Sequence, residues 1–348
     1  MRTYFLLFIA GTVLLFSSCH KGEIDQASIR VFDASEITAH TAILSGSVRG
    51  VSESAIVGVQ YCRESGFSKE LTKTVGFDGK PSQFSVPVKM LAPNREYYYR
   101  VFAEDKGERI YSDVSSFITL DSPIPEGAVD MGLSVYWAAK NLGAESLFTP
   151  GLIEKFGDWG NVGDLYAWGE TEPKEDYSWE TYKFAVPGLE KTRERPDGYG
   201  VSKYNIWEGN GPVDWKTVLE REDDAAVVKL GNGWRMPTIE EYRELLDEAN
   251  SFVVGDTQAP NQSWIIGYVV ISRVTGKKLF FPRGYQFGTQ YFDHGAFYQS
   301  SSLNVTSDIS YDSYKMYVSS CGIFFANGRY EFANLDRADG YPIRPVHE

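Results

Sequence analysis

The sequence predicts an all-β sandwich followed by an α+β domain, and three observations support this. Its 348 residues are enough for two domains. Residues 28–120 alternate apolar and polar side chains in short runs between turn residues, as strands of a sandwich do. All eight tryptophans lie between Trp137 and Trp264, and a helix start signal at Thr238 is found only in this second half. The two halves therefore differ in kind.

The first nineteen residues predict export. Arg2 gives a positive start, and an apolar run from Tyr4 to Phe16 precedes two serines and Cys19. Such a run is too short and wrongly flanked for a lasting membrane span, and it has the form of a secretory signal. The end of the run resembles the lipobox of bacterial lipoproteins, which implies a lipid on Cys19, although leucine is commoner where Phe16 stands. A plain cleaved signal is the alternative.

The charge balance disfavours nucleic acid as a partner. The formal net charge is −13, and a chain this acidic is repelled by phosphate backbones and anionic lipid heads. Residues 20–27 form a polar tether that would hold the following domain away from a bilayer. The acidic character of this tether resembles the signal that directs some Bacteroidetes lipoproteins to the outer face of the cell.

The cysteines predict neither a disulfide nor a zinc site. Cys62 and Cys321 fall in different predicted domains, so a disulfide between them is not expected. The sequence has no CxxC pair and no His/Cys cluster of the kind that holds structural zinc.

The first domain is predicted over residues 28–120 from six short strands. They are Ser28–Val31, Thr41–Val48, Ile56–Cys62, Gln83–Val86, Tyr97–Ala103 and Ser115–Thr119. The run from Leu91 to Ala103 resembles the strand E–F region of fibronectin type III domains. That resemblance makes Tyr97 a tyrosine corner, with its hydroxyl bound to upstream backbone, and makes the domain a spacer or docking module. Residues 121–127 contain two prolines and form an extended linker.

The second domain, residues 128–348, has two predicted helices. Thr238 and Glu241 form a capping box, and apolar residues follow at helical spacing from Tyr242 to Ala249. A shorter helix starts at Asp223 or Asp224 and runs to Leu230. The predicted strands are Leu133–Ala138, Ile265–Ile271, Leu279–Pro282, Ala296–Ser301, Ser313–Val318 and Gly340–Val346.

Six strings in order give the second domain a family resemblance. They are Val129–Ala138, Gly163–Thr171, Asp223–Ala226, Trp234–Thr238, Tyr298–Ser302 and Ile343–Val346. Together they resemble the Fibrobacter succinogenes major paralogous domain of Bacteroidetes surface lipoproteins. The resemblance implies a C-type-lectin-like fold, which does not by itself settle function. Residues 147–161 depart from the pattern and are expected to be a loop insertion.

Several residues in these strings are predicted to be structural. Trp168 and Trp234 are expected in the core, because an indole buries a large area. Asp223 and Asp224 are expected to cap the short helix, with a calcium role as the alternative. Arg344 is expected to pair with a buried carboxylate, with Glu170 and Glu240 as the candidates.

The lectin-like resemblance implies that the loops around the last strands form one exposed face that binds a ligand. Aromatic rings that can stack on a sugar or anchor a protein hot spot accompany polar groups there. The candidate ligand-binding residues are Tyr285, Phe287, Tyr291, Phe292, Tyr311, Tyr314, Asn327, Arg329 and Tyr330.

Catalysis is not predicted, and no cofactor or metal is expected. Formylglycine-generating enzymes use cysteines near the end of this fold, but Cys321 has no second cysteine nearby. The sequence shows no Ser/His/Asp arrangement, metal motif or phosphate loop. Glu240 and Glu241 lie at a helix start and are interpreted as caps.

The sequence therefore predicts an outer-membrane lipoprotein exposed at the cell surface, whose C-terminal domain binds a glycan or a protein partner. The alternative is a structural subunit of a surface assembly or fimbria-like fibre. No long donor strand is evident in the sequence, which weighs mildly against that alternative.

Overall fold

The structure, a computed structural model, describes most of the two predicted domains. The described residues are 27–69, 71–78, 82–145, 162–191, 198–256, 267–283, 295–305, 319–326 and 329–348. The predicted leader with Cys19, residues 20–26, the expected insertion at 147–161 and the predicted strand 313–318 lie outside them. Within the described ranges, no helix has both the length and the apolar character needed to span a membrane.

The first half of the chain folds into eight strands. They are β1 (Ser28–Ser35), β2 (Ala42–Arg49), β3 (Ile56–Cys62), β4 (Lys73–Asp78), β5 (Gln83–Val88), β6 (Glu96–Asp105), β7 (Glu108–Tyr111) and β8 (Ser115–Ile118). One antiparallel sheet has the order β1-β2-β5, and the other has the order β4-β3-β6-β7, with β8 also paired to β6. This arrangement confirms the predicted β-sandwich and is fibronectin type III-like.

Alternation of side chains produces the sandwich core. In β2, alternate residues from Ala42 to Val48 are buried, while Ile43, Ser45 and Ser47 between them are half-exposed. Strand β7 was missed from the sequence because its four side chains are all exposed and show no alternation.

Tyr97 forms the predicted corner. Its hydroxyl accepts a hydrogen bond of 2.8 Å from the backbone N–H of Ala92, five residues upstream. Its ring stacks on Phe117, with the ring centroids 5.7 Å apart. The tie links the turn before β6 to the strand itself, as in other sandwiches with this feature.

Tyr97→Phe should lower the free energy of unfolding by about 1.5 kcal/mol, because the buried N–H of Ala92 loses its acceptor. Tyr98→Phe is the matched control. The Tyr98 hydroxyl donates only to Glu96 on the exposed face, so its loss should change stability by less than about 0.5 kcal/mol. Urea unfolding of both variants measures the difference, and equal effects would contradict a role for the corner.

The second half contains two short helices and many short strands. In chain order they are β9 (Ala128–Val129), β10 (Tyr136–Ala138), β11 (Leu165–Tyr166), β12 (Ala185–Val186), β13 (Gly200–Val201), α1 (Ala225–Leu230), β14 (Trp234–Arg235), α2 (Ile239–Leu246), β15 (Ser251–Asp256), β16 (Gly267–Ser272), β17 (Lys278–Pro282), β18 (Gly295–Leu303), β19 (Ser319–Ala326), β20 (Arg329–Asp336), β21 (Tyr341–Pro342) and β22 (Val346–His347). Two single turns of 3-10 helix cover Glu208–Asn210 and Arg221–Asp223.

Among the described residues this half has three antiparallel sheets of three or four strands, and two-stranded pairs β11-β21 and β12-β13. Strand β22 lies between β14 and β10 in a sheet of order β14-β22-β10-β9, and two further sheets have the orders β15-β16-β17 and β18-β19-β20. Helix α2 contributes Tyr242, Leu245 and Leu246 to the core that these sheets enclose, which also contains Trp137. A second core surrounds Trp168.

Both helices begin at the predicted positions, but Asp223 does not share the capping of α1, because its carboxylate accepts from Lys183 and Lys203 instead. Thr238 and Glu241 form the capping box of α2. Asp224 caps α1 by accepting from the N–H groups of Ala226 and Val227, at 2.9 and 3.0 Å. Asp224 also accepts from the N–H of Met236 at 2.9 Å, so it joins α1 to the chain near β14.

Helix α2 ends earlier than predicted, at Leu246, and Ala249 lies beyond it. Two side chains satisfy the last carbonyls of the helix. The Asn250 amide donates to the carbonyl of Glu244 at 2.7 Å, and the Ser251 hydroxyl donates to that of Leu245 at 2.5 Å. These bonds stop the helix where the chain turns into β15.

The predicted pairing of Arg344 with a carboxylate is wrong. Its buried guanidinium donates to the Asn141 side-chain oxygen (2.8 Å) and to the carbonyls of Ala138 (3.3 Å) and Phe280 (2.6 Å). The two candidate partners are engaged elsewhere, Glu170 with Lys174 and Glu240 with Arg243. Neutral oxygens from two chain segments, residues 138–141 and Phe280 of β17, therefore hold this cation, and Arg344 acts as a cross-link between them.

The two tryptophans expected in the core differ. Trp168 is 1% exposed, and its indole N–H donates to the carbonyl of Ser300 at 2.9 Å. Trp234 is only half-buried, because β14 is the edge of its sheet, and its ring packs against His347 with centroids 5.3 Å apart. The prediction for Trp234 is thus correct only in part.

The sandwich and the second half touch through polar contacts. Arg63 donates to the carbonyl of Gly132 at 3.1 Å and also to the side chain of Asn250. Arg95 forms an ion pair with Asp130 at 3.5 Å. These contacts join the end of β3 and the start of β6 to residues 130–132 and to Asn250, which follows α2.

Glu244 of α2 lies close to this contact. Its carboxylate accepts from the N–H and hydroxyl of Ser134, and burial raises its pKa although Ser134 and Lys73 oppose the rise. On the sandwich side, burial, Tyr97 and Glu244 together raise the pKa of Tyr61 to about 12.

A carboxyl whose pKa is higher in the folded protein stabilises the fold when protonated, and that contribution is lost as the pH rises from the unfolded pKa through the folded one. Glu244→Gln should therefore gain stability relative to the native chain as the pH is raised from 4 upward. Glu240→Gln, on the exposed start of the same helix, is the control. Thermal unfolding at several pH values tests this, and a pH-independent difference for Glu244→Gln would contradict it.

Candidate recognition site

Two ends of the β18-β19-β20 sheet carry the segments in which ligand-binding residues are predicted. At one end, Gly295 lies opposite Ala326, which in turn lies opposite Arg329. The segments 284–294 and 327–328 join the described chain there. At the other end, Leu303 lies opposite Ser320, and the segment 306–318 joins the chain on that side. The described residues that flank these segments therefore lie at opposite ends of the sheet, and the single binding face stays a prediction.

Only two of the predicted ligand-binding residues are described. Arg329 is exposed at the start of β20. Tyr330 is half-buried against the core, and its hydroxyl donates to the carbonyl of Leu246 at 2.7 Å, so it ties the sheet to α2. The others lie outside the described residues: Tyr285, Phe287, Tyr291, Phe292, Tyr311, Tyr314 and Asn327.

The end of β18 near Leu303 is paired by a segment from the middle of the domain. Val218 bridges to Ser302 in antiparallel fashion. The N–H of Leu303 donates to the carbonyl of Thr217 at 2.8 Å. Residues 205–218, which precede this pairing, are called the tryptophan loop below.

Asn205 fixes the backbone of the tryptophan loop through hydrogen bonds from its buried side chain. It is fully buried, and its amide donates to the carbonyls of Gly211 and Pro212 at 2.9 and 3.0 Å. Its side-chain oxygen accepts from the N–H of Trp207 at 3.1 Å. One side chain thus satisfies backbone groups at three points of the loop, which restricts its conformation.

Asp214 is the second residue that fixes the backbone of the loop. Its carboxylate accepts from the N–H groups of Tyr204, Asn205 and Lys216, at 2.8, 2.9 and 3.2 Å. Burial raises the pKa of Asp214, but these donors outweigh burial, and its pKa lies below the ordinary value. Asp214 is therefore charged at neutral pH, and the loop is fixed by charge-assisted hydrogen bonds.

Directly after Asp214, the loop exposes Trp215. The side chain is 73% exposed, and the backbone has φ of +59°, in the left-handed region that tryptophan rarely adopts. This conformation costs about 1 kcal/mol. The loop overcomes the cost with the Asp214 bonds and with a further bond from the N–H of Trp215 to the carbonyl of Asn205 at 3.2 Å.

Trp207 is a second exposed ring of the loop. Its side chain is 37% exposed and lies directly over Gly209, where an added Cβ would come within 2.4 Å of the ring. A glycine is therefore required below this indole. Sequence reasoning missed both rings, and the available signal was the sequence Glu208-Gly-Asn-Gly-Pro, a turn-rich run between two tryptophans.

A charged cluster around the buried carboxylate of Asp223 contacts the residue before the loop. Asp223 accepts from Lys183 (2.6 Å), Lys203 (2.5 Å) and the Tyr204 hydroxyl (2.7 Å). Arg337 donates to the carbonyl of Tyr204 at 2.9 Å. Tyr204, the residue before the loop, is thus held through both its side chain and its backbone.

The carboxylates of Glu220, Glu222 and Asp223 lie within 4.8 Å of one another, a spacing that could suit a metal ion. The ammonium of Lys203 faces all three, at 2.6, 3.5 and 2.5 Å. This lysine supplies the positive charge that the cluster needs, so the arrangement does not favour the calcium alternative.

Cys62 and Cys321 are free and buried. Burial raises the pKa of the Cys321 thiol to about 12. A thiol in that state is protonated at neutral pH and is a poor nucleophile and a poor metal ligand.

Comparisons with known proteins show partial structural likeness. No family model matches the chain, and no curated protein matches it in sequence. Solved structures with likeness to it include the sensor domain of the anti-sigma factor RsgI4 of Pseudobacteroides cellulosolvens, at 26% identity and TM-score 0.24, over 28% of this chain and 96% of that one. A fibronectin type III domain of the human KIAA0970 protein matches at 23% identity and TM-score 0.23, over 28% and 77% of the chains. Another, from human collagen XX, matches at 16% and 0.21, over 26% and 86%. The TM-scores are low and coverage of this chain is partial, so the sandwich assignment rests on the strand order.

Proposed function

We propose that this chain is a cell-surface lipoprotein whose C-terminal domain binds a glycan or a protein partner and catalyses no reaction. In this proposal, a lipid on Cys19 anchors the chain in the outer membrane, and the sandwich of residues 28–120 holds the C-terminal domain outward. Residues 128–348 then form a C-type-lectin-like recognition domain related to the Fibrobacter succinogenes major paralogous domain.

The observation that carries the proposal is the exposed Trp215 on a fixed loop. A binding surface gains affinity when its contact residues are already held in place, because less conformational freedom is lost on binding. Asn205 and Asp214 provide that rigidity. The pairing of Val218 with Ser302 places this loop beside the end of β18, and the candidate residues Tyr311 and Tyr314 follow that strand in the sequence.

Binding by the chain from residue 20 to a glycan array tests recognition, and its oligomeric state is measured by size-exclusion chromatography. Binding to glycans, or to a single surface protein captured from cells, supports the proposal. Stable oligomers without any ligand would favour the alternative, a subunit of a surface assembly. Turnover of a bound glycan would contradict the non-catalytic role.

Protease treatment of whole cells tests the location. We expect external protease to remove the chain from intact cells, and Cys19→Ala to release it from the membrane. Full protection from the protease would contradict display at the surface.

A further inference from the structure

We infer that the tryptophan loop is a stacking platform for an uncharged polysaccharide, with Trp215 as its principal contact. This inference rests on the proposed function and names the class of ligand. A polysaccharide presents flat C–H faces flanked by hydroxyl groups. An indole ring covers such a face, and neighbouring polar groups bind the hydroxyls.

Two features of Trp215 are energetically unfavourable: the exposure of its ring and its backbone conformation. Its large apolar ring remains 73% exposed, and its backbone has a positive φ. Strained conformations persist where the surrounding structure enforces them, and they concentrate at functional sites. Here Asp214 and Asn205 enforce the conformation through bonds to the backbone on both sides of the ring. The loop is therefore built to hold this ring in solvent.

The charges beside the platform favour an uncharged ligand. Lys216, the residue after Trp215, forms an ion pair with Glu220 at 2.7 Å, and Glu220 also pairs with Lys203 at 2.6 Å. The carboxylate of Asp214 is occupied by backbone donors. The lysines next to the loop are thus already neutralised, and a chain of net charge −13 repels sulfated or carboxylated polymers.

The surroundings of the ring suit a sugar better than a protein hot spot. Hot spots lie at the centre of a patch that neighbouring side chains keep dry. The residues that flank Trp215 in the chain are polar: Asp214, Lys216 and Thr217. The other exposed apolar side chains of the loop, Trp207 and Val218, are each less than half exposed, so Trp215 is the most exposed of the three.

Affinity gel electrophoresis of the chain from residue 20 tests this inference with a panel of neutral polysaccharides (xyloglucan, mannan, dextran and starch) and with pectin as the anionic comparison. We expect at least one neutral polysaccharide to retard the chain. Trp215→Ala should weaken that interaction about tenfold, and Trp215→Phe should restore part of it. Phe252→Ala, which removes another exposed ring of the same domain, should have no effect. Thermal unfolding of each variant shows whether it is folded.

The outcomes separate this inference from the proposed function. Neutral retardation that depends on Trp215 supports both. Retardation that survives Trp215→Ala, or that occurs with pectin alone, overturns the platform and leaves recognition in place. If no polysaccharide retards the chain, the platform is overturned, and capture of a protein partner then decides the proposed function.

Discussion

Replacement of Arg344 by alanine should lower the free energy of unfolding by about 4 kcal/mol. The side chain is 1% exposed, and its removal takes away the donors that bind the oxygens of Asn141, Ala138 and Phe280. Each buried acceptor without a partner costs about 1–3 kcal/mol, and the vacated volume adds to the loss. Urea unfolding of the purified chain measures the change.

Two further variants sharpen this test. Arg344→Lys should recover only part of the stability, because an ammonium cannot reach three acceptors in the fork geometry of a guanidinium. Arg329→Ala removes an exposed arginine of β20 and should change stability by less than about 0.5 kcal/mol. Should Arg344→Ala be too unstable to purify, Arg344→Lys carries the comparison. Equal stability of the Arg344 variants and Arg329→Ala would show that the cross-link contributes nothing.

Asp223→Ala should destabilise the second half by about 3 kcal/mol, because Lys183, Lys203 and the Tyr204 hydroxyl would lose a buried carboxylate. The control is Glu222→Ala in the same acidic group, since Glu222 is 68% exposed and lies 3.5 Å from Lys203. We expect that variant to remain within about 0.5 kcal/mol of the native chain. Similar losses for both would contradict a central role for Asp223.

The same residue predicts a pH effect. Burial raises the pKa of Asp223, but the two lysines and Tyr204 outweigh burial, so its pKa is lower than in the unfolded chain. Its stabilising contribution is therefore present above the ordinary aspartate pKa and is lost as the pH falls below it. Asp223→Asn should accordingly lose less stability than the native chain on acidification. Unfolding curves recorded between pH 6 and 3 check the sign.

Local chemistry made several features predictable from the sequence. The capping box of α2 needs only Thr238 and Glu241 at the right spacing. The tyrosine corner needs only Tyr97 and the turn a few residues before it. Each involves contacts within one short stretch, so the pattern of residues carries the information.

Long-range contacts account for what was missed. The donors of Arg344 reach Asn141, which is 203 positions away in the chain, and no periodicity indicates such a partner. The exposure of Trp215 depends on Asn205 folding back onto the loop and on the pairing of Val218 with Ser302. An indole usually implies a core position, so the sequence alone directed attention to the later aromatic segments.

The position of β22 has a consequence for how the protein matures. Val346 pairs with Trp137 on one side and with Arg235 on the other. A chain is synthesised from its amino end, so β10 and β14 cannot pair with β22 until residues 346–347 have been made. The described core of the sandwich, in contrast, draws on no residue after Phe117. During synthesis the sandwich can therefore fold first, whereas the sheet β14-β22-β10-β9 forms only after β22 has been made.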